Sequence, residues 1–252
     1  MVYAKEDFGE SFNSLLSIYV ESGIPVIVAV SNDEGINHAF ICCGREKLTD
    51  THLDQTDKKD GWVDFHDLIK QFVFIDDNHF PYQRAYLNEP CNYYGHKDWK
   101  KCRIKHFIVP LYPKIYLDAF EARNYSAKIY EGLIGAGNDV IRTMLSSSRS
   151  YKDEILCNPD LTEELKEKIV KKPMPKFIWV CEISNKELLR KEKCFGNIVL
   201  DATEPNTRGL KPLIYCHLGS QILEVEKGLL YSTKLQKPVD EFSVYSNNLN
   251  GF

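Results

Sequence analysis

The sequence predicts an α+β protein, from three observations. Apolar residues recur at three- and four-residue spacing near the start (Phe8, Phe12, Leu15, Leu16, Tyr19, Val20) and again at Leu161, Leu165 and Ile169, each series giving one helical stripe. Between these stripes lie short β-branched or aromatic runs, among them Pro25 to Val30, Ala39 to Cys43, Phe72 to Ile75 and Phe177 to Ile183. The first two runs are joined by a loop short enough to predict an antiparallel hairpin.

The first stripe makes a helix from Phe8 to Glu21, and Gly23 followed by Pro25 stops it. Pro25-Val26-Ile27-Val28-Ala29-Val30 is then a buried strand, Ser31 to Gly35 a turn, and Ala39 to Cys43 the returning strand. Arg45 to Gly61 is polar and reads as an exposed insert. Val63, Leu68 and Ile69 suggest a short helix before the strand Phe72 to Ile75. A polar stretch from Asn88 to Lys101 precedes a further strand at Phe107-Ile108-Val109. Residues 1–108 form the lobe that carries the chemistry, and residues 109–252 a second α+β lobe.

The second lobe opens with a helix from about Leu117 to Ile134, broken by Gly135-Ala136-Gly137. Pro159 and Asp160 suit the first turn of another helix, which Lys171-Lys172-Pro173-Met174-Pro175 ends. Three strands follow, at Phe177 to Ile183, Ile198 to Asp201, and Leu213 to Leu218 running on toward Val225. The terminal Asn247 to Gly251 reads as frayed.

Composition excludes several function classes. With 43% hydrophobic and 27% charged residues the 252-residue chain has the make-up of a soluble globular protein. A net charge of −4 offers no attraction to nucleic acid or acidic membranes. No run approaches the roughly 20 apolar residues of a bilayer span, and the first residues lack the layout of a secretion signal. The eight cysteines include no Cys-x-x-Cys pair. Cys42 and Cys43 are adjacent in one strand, and Cys181 and Cys216 lie inside others, so the thiols read as reduced and the location as cytoplasmic.

The chemistry concentrates in Asn37-His38-Ala39-Phe40-Ile41-Cys42-Cys43-Gly44 and Phe72-Val73-Phe74-Ile75-Asp76-Asp77-Asn78. A histidine opens one strand and an acidic pair closes another. An imidazole that acts as a base needs a carboxylate or amide on its other nitrogen to fix tautomer and orientation. Neighbouring strands would bring those groups together. Against this stands the simpler reading of a strand-edge histidine bonded to a loop carbonyl.

The ordered set of helix, Gly-Ile-Pro-Val-Ile-Val-Ala-Val, His38 strand and Asp76 strand resembles the catalytic sheet of papain-like cysteine peptidases. The nearest branch is that of the bacteriocin-leader (double-glycine) peptidases, and the resemblance covers Phe8 to Tyr82. It implies an antiparallel sheet with packed helices, a peptide or protein substrate, and hydrolysis of peptide or isopeptide bonds by thiolate attack. His38 would be the general base and Asp76 its partner, with Asp77 the substitute if the register is shifted by one, since only one of two strand neighbours can face the ring. The family's nucleophilic cysteine, on a helix start with a glutamine before it, has no counterpart between Met1 and His38.

Four readings of that departure stand open. The cysteine helix lies upstream of Met1; the nucleophile has been lost, leaving an inactive protein or a peptide-binding scaffold; the fold is permuted, with Cys91 or Cys102 supplying the thiol; or only the sheet pattern is shared. No cofactor is implied, and no metal at His38, Asp76 or Asp77. Elsewhere Cys91-x4-His96-x5-Cys102-x3-His106 has zinc-capable residue types, set against an ordinary polar and aromatic loop. Cys181, Asp201 and His217 lie in strand-like runs in a non-papain order and read as core and turn residues. Gly132-x-x-Gly135-x-Gly137 lacks the lysine of a phosphate loop and reads as a helix break. Oligomeric state is not legible.

Overall fold

The hairpin expected between Pro25 and Cys43 lies at the centre of a six-stranded sheet in the computed structural model, which describes residues 2–5, 11–55, 61–135 and 139–246. The chain begins with β1 (Val2–Lys5), α1 (Ser11–Glu21), β2 (Val26–Ser31), β3 (Asn37–Arg45) and α2 (Asp50–Gln55). Next come β4 (Val63–Asp64), a 3-10 turn at Phe65–Leu68, β5 (Phe72–Ile75), β6 (Gln83–Ala85) and β7 (Arg103–Val109). The second half continues through α3 (Ala119–Ile134), β8 (Val140–Ser147), α4 (Ser148–Cys157), α5 (Glu163–Lys171), β9 (Phe177–Ser184) and α6 (Lys186–Arg190). It closes with β10 (Lys193–Cys194), β11 (Gly196–Asp201), β12 (Leu213–Leu218), β13 (Gln221–Glu226), β14 (Leu229–Lys234) and β15 (Phe242–Ser243).

The architecture is mixed α+β, in two compact units. Among the described residues the first holds 2–5, 11–55 and 66–113, and the second 61–65, 114–135 and 139–246. The division therefore falls five residues beyond the expected boundary at 108, and β4 belongs to the second unit. Its parallel pairing, Val63 opposite Val140, joins positions too distant in sequence for local periodicity to register.

In the first unit the strand order is β1-β7-β2-β3-β5-β6, antiparallel throughout. Alternation along β2 buries Val26, Val28 and Val30, and β3 buries Phe40 and Cys42. The stripe of α1, from Phe12 to Val20, is buried as well, with the Phe12 and Phe107 rings 4.8 Å apart. Each such buried side chain contributes about 1.5–3 kcal/mol. Gly23 ends α1 at φ 72°, its N–H bonding the Val20 carbonyl, a left-handed cap that disfavours any side chain. The polar insert after Arg45 contains α2, whose Leu53 is buried. Where a helix was expected at Val63 to Ile69, the chain instead forms β4 and the 3-10 turn.

The second unit's large sheet runs β14-β13-β12-β11-β9-β8-β4. One continuous core joins Tyr151 and Ile155 of α4, Leu165 and Ile169 of α5, and Val180, Val199, Tyr215 and Ile222 of the sheet. The helix expected to start at Pro159 begins later. Thr162 caps α5 by accepting from Leu165 N–H, while Asn158 accepts from Asp160 N–H in a preceding turn. The run expected to continue from Leu213 toward Val225 folds back at Gly219 (φ 54°) into β12 and β13. The terminal stretch read as frayed lies outside the described residues.

Candidate functional site

β3 begins at Asn37, which puts His38 opposite Val30 at one end of the sheet, and β5 ends at Ile75, opposite Ile41. The chain turns immediately after Ile75, His79 N–H bonding the Asp76 carbonyl. The turn carries Asp76, Asp77 and Asn78 to the histidine.

His38 Nε2 lies 2.9 Å from Asp76 Oδ1, 3.3 Å from Asp77 Oδ1 and 3.2 Å from Asn78 Nδ2. The expectation that only one aspartate could face the ring is corrected, because strand alternation has ended at Ile75 and both acids lie on the turn. Asp76 itself caps the turn, accepting from Asn78 N–H at 3.0 Å, while Asp77 is 82% exposed.

Asp76 is buried yet fully served. Its Oδ2 accepts hydrogen bonds from the Tyr93 and Tyr94 hydroxyls at 2.9 and 2.7 Å. Burial opposes its ionisation, but the bonds from Asn78 N–H, His38, Tyr94 and Tyr93 prevail and hold the carboxyl below its usual value of 3.8. Burial and the neighbouring carboxylate push both tyrosine hydroxyls well up, so they stay protonated donors.

Aromatic rings wall the imidazole. Trp99 meets it edge-on at 5.7 Å and Phe40 lies 5.8 Å away. Tyr94 stacks on Trp99 at 3.9 Å with an interplanar angle of 5°. Tyr94 and Trp99 come from the segment read only as a polar stretch. Its signal was a Tyr-Tyr pair and a tryptophan inside a loop, since large aromatics seek burial wherever they stand.

His38 Nδ1 has no hydrogen-bond partner among the described residues. A ring held at Nε2 by a carboxylate leaves Nδ1 as the nitrogen able to take a proton.

No cysteine hydrogen-bonds this ring among the described residues. Cys43 Sγ bonds the Val73 carbonyl at 3.6 Å. Cys91 and Cys102 contact each other and are both buried. Burial first, then Cys102 and the Asp76 charge, push the Cys91 thiol up, and burial raises Cys102 likewise. A buried protonated thiol is a poor nucleophile.

The other constellations disperse. His96 pairs with Asp98 at 3.2 Å, and His106 Nδ1 meets the Tyr3 hydroxyl at 3.0 Å, so neither joins Cys91 and Cys102. Cys181 is buried in β9, Asp201 accepts from Thr203, and His217 Nε2 donates to the Gly219 carbonyl at 3.1 Å. Gly135 ends α3 at φ 84°, and Gly137 lies outside the described residues.

Comparison with models of protein families, with curated proteins and with solved structures returned no match. No helix among the described residues is long and apolar enough to cross a membrane.

Proposed function

We propose that the first unit is a cysteine-peptidase-like hydrolase lobe acting on peptide or isopeptide bonds, with His38 as general base and Asp76 as the carboxylate that orients it. The observation that carries this reading is the fixed ring. Nε2 is held at 2.9 Å by a buried carboxylate that two tyrosines and a backbone N–H lock in place, while Nδ1 has no partner among the described residues. Such a ring draws a proton from a thiol presented at Nδ1 and returns it to the leaving amine. Asp77 reaches the same Nε2 from solvent and is secondary in this role.

A thiol-directed peptide probe, such as a peptidyl vinyl sulfone, tests the proposal on the full chain. Covalent labelling that falls at least about 100-fold in His38→Ala and is partly retained in Asp76→Asn is expected for a base and its orienting partner. Labelling unaffected by His38→Ala would refute the base assignment.

A second reading, a non-catalytic peptide-binding protein on the same sheet, is favoured by one specific observation: no described thiol reaches His38. It predicts no covalent labelling, together with peptide binding that survives His38→Ala.

A further inference from the structure

Three polar side-chain atoms converge on His38 Nε2, namely Asp76 Oδ1 at 2.9 Å, Asp77 Oδ1 at 3.3 Å and Asn78 Nδ2 at 3.2 Å. One imidazole nitrogen has a single lone pair or a single N–H, and so serves one partner well. The base role rests on Asp76. Asp77, secondary there, brings a second charge and an oxygen within 4.8 Å of both the histidine nitrogen and the Asp76 carboxylate.

We infer that His38 Nε2, Asp76 Oδ1 and Asp77 Oδ1 form a site for a divalent transition-metal ion of the Zn2+ class. With bonds of about 2.1 Å, the two measured edges correspond to N–metal–O angles of about 90° and about 105°. Those angles fall in the octahedral-to-tetrahedral range. A set of one imidazole and two carboxylates suits zinc and its neighbours in the first transition row. The groups behind the ligands are also in place. Tyr93, Tyr94 and Asn78 N–H fix the Asp76 carboxylate, and hydrogen-bonded ligands of this kind are the ones that bind metals firmly. The exposed side of Asp77 leaves positions for water.

Binding places the ion on the lone pair of neutral Nε2. Any proton there passes to solvent, and the Asp76 hydrogen bond to the ring becomes a metal–oxygen bond. Resting on the base reading proposed above, a bound ion takes from His38 the partner that orients it, so metal occupancy suppresses that activity.

The test is titration of the full-length protein with Co2+, read by visible absorption, with Zn2+ as competitor. One equivalent of Co2+ is expected to give d–d bands that Zn2+ removes. Asp77→Asn should weaken binding at least about 10-fold, and His38→Ala should abolish the bands. Asp77 is exposed, so its variant folds. His96→Ala with His106→Ala should leave the titration unchanged. Featureless titration, or bands that survive Asp77→Asn, overturns the inference, as does loss of bands in the His96 and His106 variant. Probe labelling that falls in His38→Ala, in a protein whose Co2+ titration is featureless, shows that the base role stands even where metal binding fails.

Discussion

His217 is expected to make the protein acid-labile well above the pH at which carboxylates protonate. It is 1% exposed on β12, donates Nε2–H to the Gly219 carbonyl, and packs 5.6 Å from the Phe242 ring. Burial drives its pKa down from 6.5 to about 4, partly offset by the bond to Gly219. The folded value lies below the unfolded one, so between them the unfolded chain binds more protons, and stability rises with pH. The full contribution is present above pH 6.5 and is lost as pH falls toward about 4. A shift of this size is worth about 3 kcal/mol, of which about 2 kcal/mol disappears between neutrality and pH 5. Urea unfolding at pH 7 and pH 5 measures it, comparing the wild type with His217→Gln, which keeps an amide donor for Gly219. The wild type should lose about 2 kcal/mol more than the variant over that interval. Equal losses would refute the assignment of a neutral buried imidazole.

Two further perturbations address the site and the core. Tyr94→Phe keeps the stack on Trp99 but removes a donor to Asp76. It should cost about 1–3 kcal/mol in urea unfolding and raise the Asp76 carboxyl titration seen by 13C NMR; an unmoved titration would show that the hydroxyl does not hold the charge. Arg142→Met strands Glu182, which is buried and faces Arg142 at 2.8 Å. Removing one member of such a pair costs about 3–5 kcal/mol, whereas Arg142→Met combined with Glu182→Leu should recover most of it, as thermal or urea unfolding would record.

Legibility followed local physics. The hairpin of β2 and β3 could be read because Val26, Val28 and Val30 alternate and the loop between the strands is short. The end of α1 was visible because Gly23 supplies a conformation that other residues resist. β8 escaped notice because both its faces are buried, so Arg142, Thr143 and Ser146 interrupt the apolar pattern while remaining inside the protein. Arg142 is tolerated there because Glu182, 40 residues away, and the Tyr245 carbonyl meet it. β14 was missed for the opposite reason, since its side chains are largely exposed and pairing with β13 defines it.

At the site, the sequence by itself determined the order of the chemistry: a histidine opening one strand, an acidic pair closing another, and a protein of mixed α+β class. Tertiary structure decided what those residues do to one another. Because the turn starts directly after Ile75, both aspartates reach Nε2, a result strand alternation forbids. Tyr93, Tyr94 and Trp99 join from a loop whose composition gave no periodic signal, and they set the charge on Asp76 and the walls around His38. Periodicity reports which face a side chain takes within one element; which groups share a few ångströms is settled by contacts between elements, and those are written only in the fold.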